Sequence, residues 1–273
     1  MTLFQAVVYS ALLSITSILP VSMEAHSILF AHFTQWPTPD ATTLGPIYLG
    51  ALLALFFFYI HDWASLISSL LSVIIYRKKP MTLDERLPFF LILSSIPVCV
   101  ILQLGLHDSL DSLFFQPQFV ALTLIAMSLL LVFGESLGRK NKGMFDWTII
   151  EAVLIGLGQL SALIPGGGRM IGALAVAGLR NFNREAAAKY SLMSGLPFLL
   201  YWTVSHLSQV TWVGQDWMVL VQFGATAIVS MIGTLVTLST FTKNFVRNGS
   251  KGLALYRVLI GIGAALVIWI QTR

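Results

Sequence analysis

The sequence predicts an all-α polytopic membrane protein, built as inverted-topology repeats with two re-entrant helix–loop–helix segments. Three observations carry that reading. Hydrophobic residues make up 56% of the 273 and charged residues only 10%, which leaves no soluble domain of any size. Six apolar runs have the ~20 residues that a helix needs to cross a bilayer. Two more apolar stretches are broken by proline and carry polar residues at the break.

The chain reads as one integral membrane domain, 1–273, with approximate repeats 1–140 and 145–273. Its apolar start, 3–19, has no basic residue before or within it, the first being Arg77. It therefore reads as a retained membrane segment and not a cleaved signal. Residues 3–35 form the first broken segment, interrupted at Pro20 and followed by Glu24, His26 and His32. A run at 44–60 comes next, with an extension towards 76, where His61 and Asp62 mark an interface or a bent helix. Runs at 87–106 and 117–138 follow; Glu135 reads as a solvated or paired end charge beside Arg139 and Lys140. Residues 148–179 form the second broken segment, interrupted by Pro165-Gly166-Gly167-Gly168 and carrying Glu151, Gln159 and Arg169. Runs at 188–208, 216–241 and 252–270 complete the chain. A broken apolar segment with polar residues at its break fits a pair of re-entrant half-helices. Irregular backbone is tolerated at that depth only where protein or a water-filled cavity surrounds it.

The charges set the topology. Arg77, Lys78, Lys79 and Arg86 share one loop; Arg139, Lys140 and Lys142 a second; Arg180, Arg184 and Lys189 a third. Lys243, Arg247, Lys251 and Arg257 fall in or beside a fourth. The intervening loops, 107–116 and 209–216, carry Asp108, Asp111 and Asp216 and no Lys or Arg. If 148–179 enters and leaves on one side, all the basic loops are cytoplasmic and the acidic ones external. A double crossing at 148–179 satisfies the same count. The +4 net charge does not indicate nucleic acid, because the basic residues are scattered in short loops. Cys99 stands alone, which excludes a disulfide frame.

Arg169 and Arg273 fall outside this pattern, and Arg169 sits in an apolar stretch. A guanidinium at bilayer depth costs several kcal/mol and marks a site or a substrate path, unless it snorkels or pairs with a buried Glu. Glycines on its N-terminal side leave backbone N–H groups free to approach an anion. The two breaks echo one another, Ser17-Ile18-Leu19-Pro20 against Ala162-Leu163-Ile164-Pro165. Matching interrupted segments in opposite orientation point to a midplane site between two inverted halves.

Ile18-Leu19-Pro20-Val21-Ser22 with His26, and Ile164-Pro165-Gly166-Gly167-Gly168-Arg169, resemble the two signature loops of the bacterial undecaprenyl-pyrophosphate phosphatase family, the bacitracin-resistance type. Leu106-His107-Asp108-Ser109-Leu110, Ser112-Leu113-Phe114, Tyr190-Ser191-Leu192 leading to Leu196-Pro197, and Tyr256-Arg257 resemble further landmarks in the same order. The resemblance implies an interdigitated inverted-repeat fold in the bacterial inner membrane, multi-pass, with a site open to the external or periplasmic side. It implies dephosphorylation of undecaprenyl pyrophosphate, recycling the carrier lipid for wall synthesis. Its partners would be the bilayer and a polyprenyl (pyro)phosphate, and it is compatible with a homodimer. It also implies a divalent cation, Mg or Ca.

The departures from the family pattern fall on the chemistry. Leu13 and Ser17 stand where the family has two metal-associated glutamates; Met23, Glu24 and Ala25 replace Ser, Thr and Gly. In the second loop Gly168, Met170 and Ala173 replace two serines and a threonine. Phosphoryl transfer needs charge neutralisation, an in-line nucleophile and a protonated leaving group. Arg169 with the Gly166, Gly167 and Gly168 amides is placed for the first need. Ser22, or a water activated by His26 or Glu24, is placed for the second. For the metal that the resemblance implies, Glu24 is the only nearby candidate ligand, and one carboxylate makes a poor cage. The same residues also allow a Glu24–Arg169 structural pair, a buried structural His26, and a catalytically inactive protein that binds or translocates a polyprenyl phosphate.

Overall fold

The computed structural model describes residues 1–77, 79–104, 116–211 and 216–271, and its elements there are helices. Helix α1 (Leu3–Ile18) opens with a capping box, Thr2 and Gln5 each bonding the other's backbone N–H. It stops at Leu19-Pro20, and α2 (Met23–Thr34) restarts from Ser22. Helix α3 (Ala41–Phe58) is capped by Asp40, which accepts from the Thr43 N–H at 3.1 Å. After α4 (Ile60–Ile75) come α5 (Leu83–Gln103) and α6 (Pro117–Leu137). The second broken segment is α7 (Ile149–Gln159), a 3-10 turn (Leu160–Leu163), an irregular stretch, and α8 (Arg169–Leu179). Then follow α9 (Arg184–Met193), α10 (Leu196–Gln209), α11 (Trp217–Asn248) and α12 (Lys251–Gln271).

Among the described residues five helices, α3, α5, α6, α11 and α12, are long and apolar enough to cross a membrane. Their outward faces expose Ile92, Leu129, Phe133, Val236, Leu259 and Leu266, which suits lipid and not water. The protein is a polytopic, all-helical membrane protein.

Three sequence boundaries need correction. The run at 188–208 is two helices, because Gly195 and Pro197 part α9 from α10. The extension of 44–60 towards 76 is a separate helix after a bend at Tyr59. The run at 216–241 extends to Asn248, so Lys243, Arg247 and Lys251 lie in helix ends beside a link of only Gly249-Ser250, and Arg257 lies in the second turn of α12. Lys78, 106–114 with His107, Asp108 and Asp111, and Arg273 lie outside the described residues.

Small residues bring the central helices to backbone contact, as lipid-embedded packing favours. A Cβ on Gly134 of α6 would lie 2.7 Å from the Ala175 Cα of α8, and one on Gly158 of α7 would lie 2.7 Å from the Gly172 carbonyl of α8. Three of the basic groups meet at one end. Glu135 ends α6 and accepts from Arg184 Nε at 2.6 Å, from Lys140 Nζ at 3.5 Å and from the Ser250 N–H at 2.6 Å. Glu151, in the first turn of α7, holds Lys142 at 2.9 Å and Arg180 at 2.8 Å. Two carboxylates thus draw the 139–143, 180–184 and 249–251 connections together.

Candidate functional site

The α1–α2 break and the α7–α8 break meet. At the first, Pro20 ends α1, the Val21 N–H turns back to the Leu19 carbonyl at 2.7 Å, and Ser22 adopts φ 71°, ψ 103°. A non-glycine residue there stores roughly 1–3 kcal/mol of strain, which surrounding contacts must hold. Ser22 Oγ supplies them: it accepts from the Ala25 N–H at 3.3 Å and, across the interface, from the Gly166 N–H at 3.2 Å. At the second break Gly166 and Gly168 take φ of 88° and 80°. The Pro165 carbonyl accepts from Thr123 Oγ1 at 2.5 Å and the Gly168 carbonyl from Ser161 Oγ at 2.8 Å.

Where the breaks meet, a cavity of about 50 Å³ opens, with room for a few waters. Arg169, Glu24, Ser22, Ser17 and Gly168 line it, with Met23, Met170, Tyr48 and Phe198 closing the apolar side. Arg169 begins α8 and is 7% exposed. Its Nη1 donates to the Ser191 carbonyl at 2.6 Å, and its guanidinium lies 5.8 Å from the centre of the Phe198 ring. Behind it, Gln159 Nε2 donates to Ser194 Oγ at 3.4 Å, which in turn donates to the Ser191 carbonyl at 3.2 Å. A buried cation and a carboxylate therefore face one small, half-polar space.

The structure sorts the residues expected from sequence. It brings Glu24, Ser22, Gly168 and Arg169 together. It holds His26 behind them, 7% exposed and off the cavity wall. His26 Nδ1 lies 2.7 Å from the Ser22 carbonyl and Nε2 lies 2.9 Å from the Tyr256 hydroxyl. A carbonyl only accepts, so Nδ1 carries a proton, and in the neutral ring Nε2 accepts from the Tyr256 hydroxyl. Two of the three expected amide donors are turned inward, Gly166 to Ser22 Oγ and Gly167 to the Ile164 carbonyl at 2.7 Å. Leu13 is fully buried against Tyr9 and Ile47. Glu151 and Gln159 are structural: the first clamps two loops, and the second is fully buried and donates to the Ser94 carbonyl at 3.0 Å.

The donors do not fit a resident divalent cation. Among the described residues lining the cavity Glu24 is the one carboxylate, and the Thr16 and Ser17 hydroxyls donate to carbonyls of their own helix. A hard cation needs more oxygen ligands than that, and Arg169 already places a positive charge in the same space.

Sequence reasoning missed Arg257. It was assigned beside a basic loop, yet it is fully buried, more so than Arg169. Its Nη2 donates to the Gly166 carbonyl at 2.5 Å and the Leu124 carbonyl at 3.3 Å, its Nη1 to the Pro20 carbonyl at 3.4 Å, and its Nε to Ser128 Oγ at 3.0 Å. Two signals were available: Arg257 falls inside the apolar run 252–270, and Tyr256-Arg257 resembles a family landmark.

The sequence matches the family described as Bacitracin resistance protein BacA over residues 6–263. Among curated proteins it is 35% identical over 200 residues to an undecaprenyl-diphosphatase of Geotalea daltonii, covering 73% of each chain. It is 28% identical to the undecaprenyl-diphosphatase of Moorella thermoacetica over 99% of this chain and 100% of that one. It is 29% identical to that of Chlorobaculum parvum over 98% of each.

Proposed function

Because the chain belongs to the bacitracin resistance protein BacA family, we propose that it hydrolyses undecaprenyl diphosphate to undecaprenyl phosphate and inorganic phosphate. One observation supports this above the rest: Arg169 and Glu24 face one buried cavity between two helix breaks. Arg169 neutralises the oxygens of the terminal phosphate, the charge stabilisation this reaction needs most. Glu24 takes a proton from the attacking water as its oxygen bonds to the terminal phosphorus. The bridging P–O bond breaks, the electron pair leaves on the bridging oxygen of undecaprenyl phosphate, and the proton held by Glu24 passes to that oxygen, restoring the carboxylate. Ser22 and Gly168 shape the wall, and His26 steadies Ser22.

In this reading the broken segments are re-entrant, the two halves form inverted repeats in a bacterial inner membrane, and the site opens to the external face. The joined basic loops at one end of the protein support a cytoplasmic assignment for that end.

A second reading is a protein that binds or translocates the lipid without cleaving it. Leu13, packed in the core where the family has a carboxylate, favours it. Phosphate release from undecaprenyl diphosphate by the purified protein in detergent, with and without Mg, decides between them. Hydrolysis predicts release that is lost in Arg169→Ala and in Glu24→Gln. No release, with lipid binding that still depends on Arg169, selects the second reading. Unchanged lipid binding by Arg169→Ala sinks both.

A further inference from the structure

We propose that Arg257 is a positioning residue of this site, a clamp that sets the two helix breaks against each other. A fully buried charge in an apolar helix is costly unless its donors are satisfied. Here the satisfying oxygens come from three separate segments: Pro20 in the first break, Gly166 in the second, and Leu124 and Ser128 on α6. Pro20 and Gly166 lie outside the helices, where carbonyls lack the amide partner a continuous helix supplies. One guanidinium meets both needs.

The geometry carries a movement of either carbonyl directly to the cavity. Pro20 is two residues from Ser22, and Gly166 is three from Arg169. The Gly166 N–H is itself bonded to Ser22 Oγ at 3.2 Å. The neighbouring Tyr256 adds a second tie on the same side: its hydroxyl bonds His26, with the rings parallel and 5.7 Å apart, and His26 holds the Ser22 carbonyl. Arg257 does not line the cavity, so it acts through the backbone and not on the ligand. Lysine cannot substitute, because a single ammonium lacks the planar fork that spans oxygens on three segments.

The activity arm rests on the reading proposed above; a hydrogen-exchange arm does not. Arg257→Lys keeps the charge, and Ser128→Ala removes one anchor of Nε while leaving Arg257 in place. The clamp predicts phosphate release slowed about a hundredfold in Arg257→Lys, the penalty of an ångström-scale misplacement, with KM little changed. Ser128→Ala should slow release by a smaller factor, again in kcat. In both variants amide exchange should rise in peptides covering 17–26 and 162–170 and stay unchanged in α3 and α11. Wild-type kcat in folded Arg257→Lys, or exchange that rises uniformly along the chain, overturns the clamp. If Arg257→Lys does not fold, Ser128→Ala decides by the same two readouts. If the wild-type protein releases no phosphate, the hydrolytic reading fails, and localised exchange alone sustains or overturns the clamp.

Discussion

Gly195→Ala tests whether Arg169 acts from the position it occupies. Gly195 joins α9 to α10 with φ −80° and ψ −15°, a conformation alanine adopts freely. Losing a glycine from the unfolded chain should itself stabilise by roughly 0.4–1 kcal/mol. The new methyl, however, would lie 2.6 Å from Arg169 Cζ and 3.0 Å from Nη1, and closer still to Nη2, where ordinary contacts are 3.4–4 Å. The guanidinium must retreat by about 1 Å, and a misplacement of that size costs about a hundredfold in rate. That corresponds to about 3 kcal/mol on the barrier. Phosphate release and lipid binding, measured beside a thermal unfolding curve, give the result. We expect an unfolding temperature close to wild type, a rate down about a hundredfold, and weakened binding. A folded variant with wild-type rate and affinity would refute the placement of Arg169 as the phosphate-holding group.

Three further outcomes follow from the same geometry. Arg169→Lys should lose at least about tenfold in lipid-phosphate affinity, since an ammonium cannot both hold the Ser191 carbonyl and grip a phosphate bidentately; equilibrium binding of the lipid checks it. Glu24→Gln should bind the lipid as wild type does yet release no phosphate, and a single-turnover assay separates the two steps. Glu135→Gln should destabilise by about 2 kcal/mol, because Arg184 and Lys140 lose their charged acceptor. Its unfolding temperature should fall by several degrees while turnover well below that temperature stays unchanged.

Much of the site was legible because membrane physics makes its residues conspicuous. Pro20, Pro165 and three successive glycines interrupt apolar stretches that have no other reason to break, and Arg169 stands beside one of them. Glu24 was readable for the same reason, and it does share a cavity with Arg169. His26 was readable as a polar residue at the break, but one-dimensional spacing could not tell that both of its ring nitrogens are occupied. The glycine amides were misread in part. A run of glycines reveals freedom of the backbone, while the direction of each N–H depends on the segment packed against it, here Ser22 for Gly166. Glu151 was legible only as a carboxylate in the second broken segment, and its role as the buried anchor of Lys142 and Arg180 came from the packing of two loops.

By itself the sequence determined the class of the protein, the places where two apolar stretches break, and the grouping of most of its basic residues. Those are consequences of transfer free energy and of proline and glycine geometry, which act locally along the chain. Only the tertiary structure decided which groups face the cavity and which hold its walls. Arg257 is the clearest case: it lies 88 residues after Arg169 in the chain, and both are buried guanidiniums. One lines the cavity and the other is spent on four protein oxygens. That difference is set by which carbonyls three distant segments present to each side chain, and no local pattern encodes it.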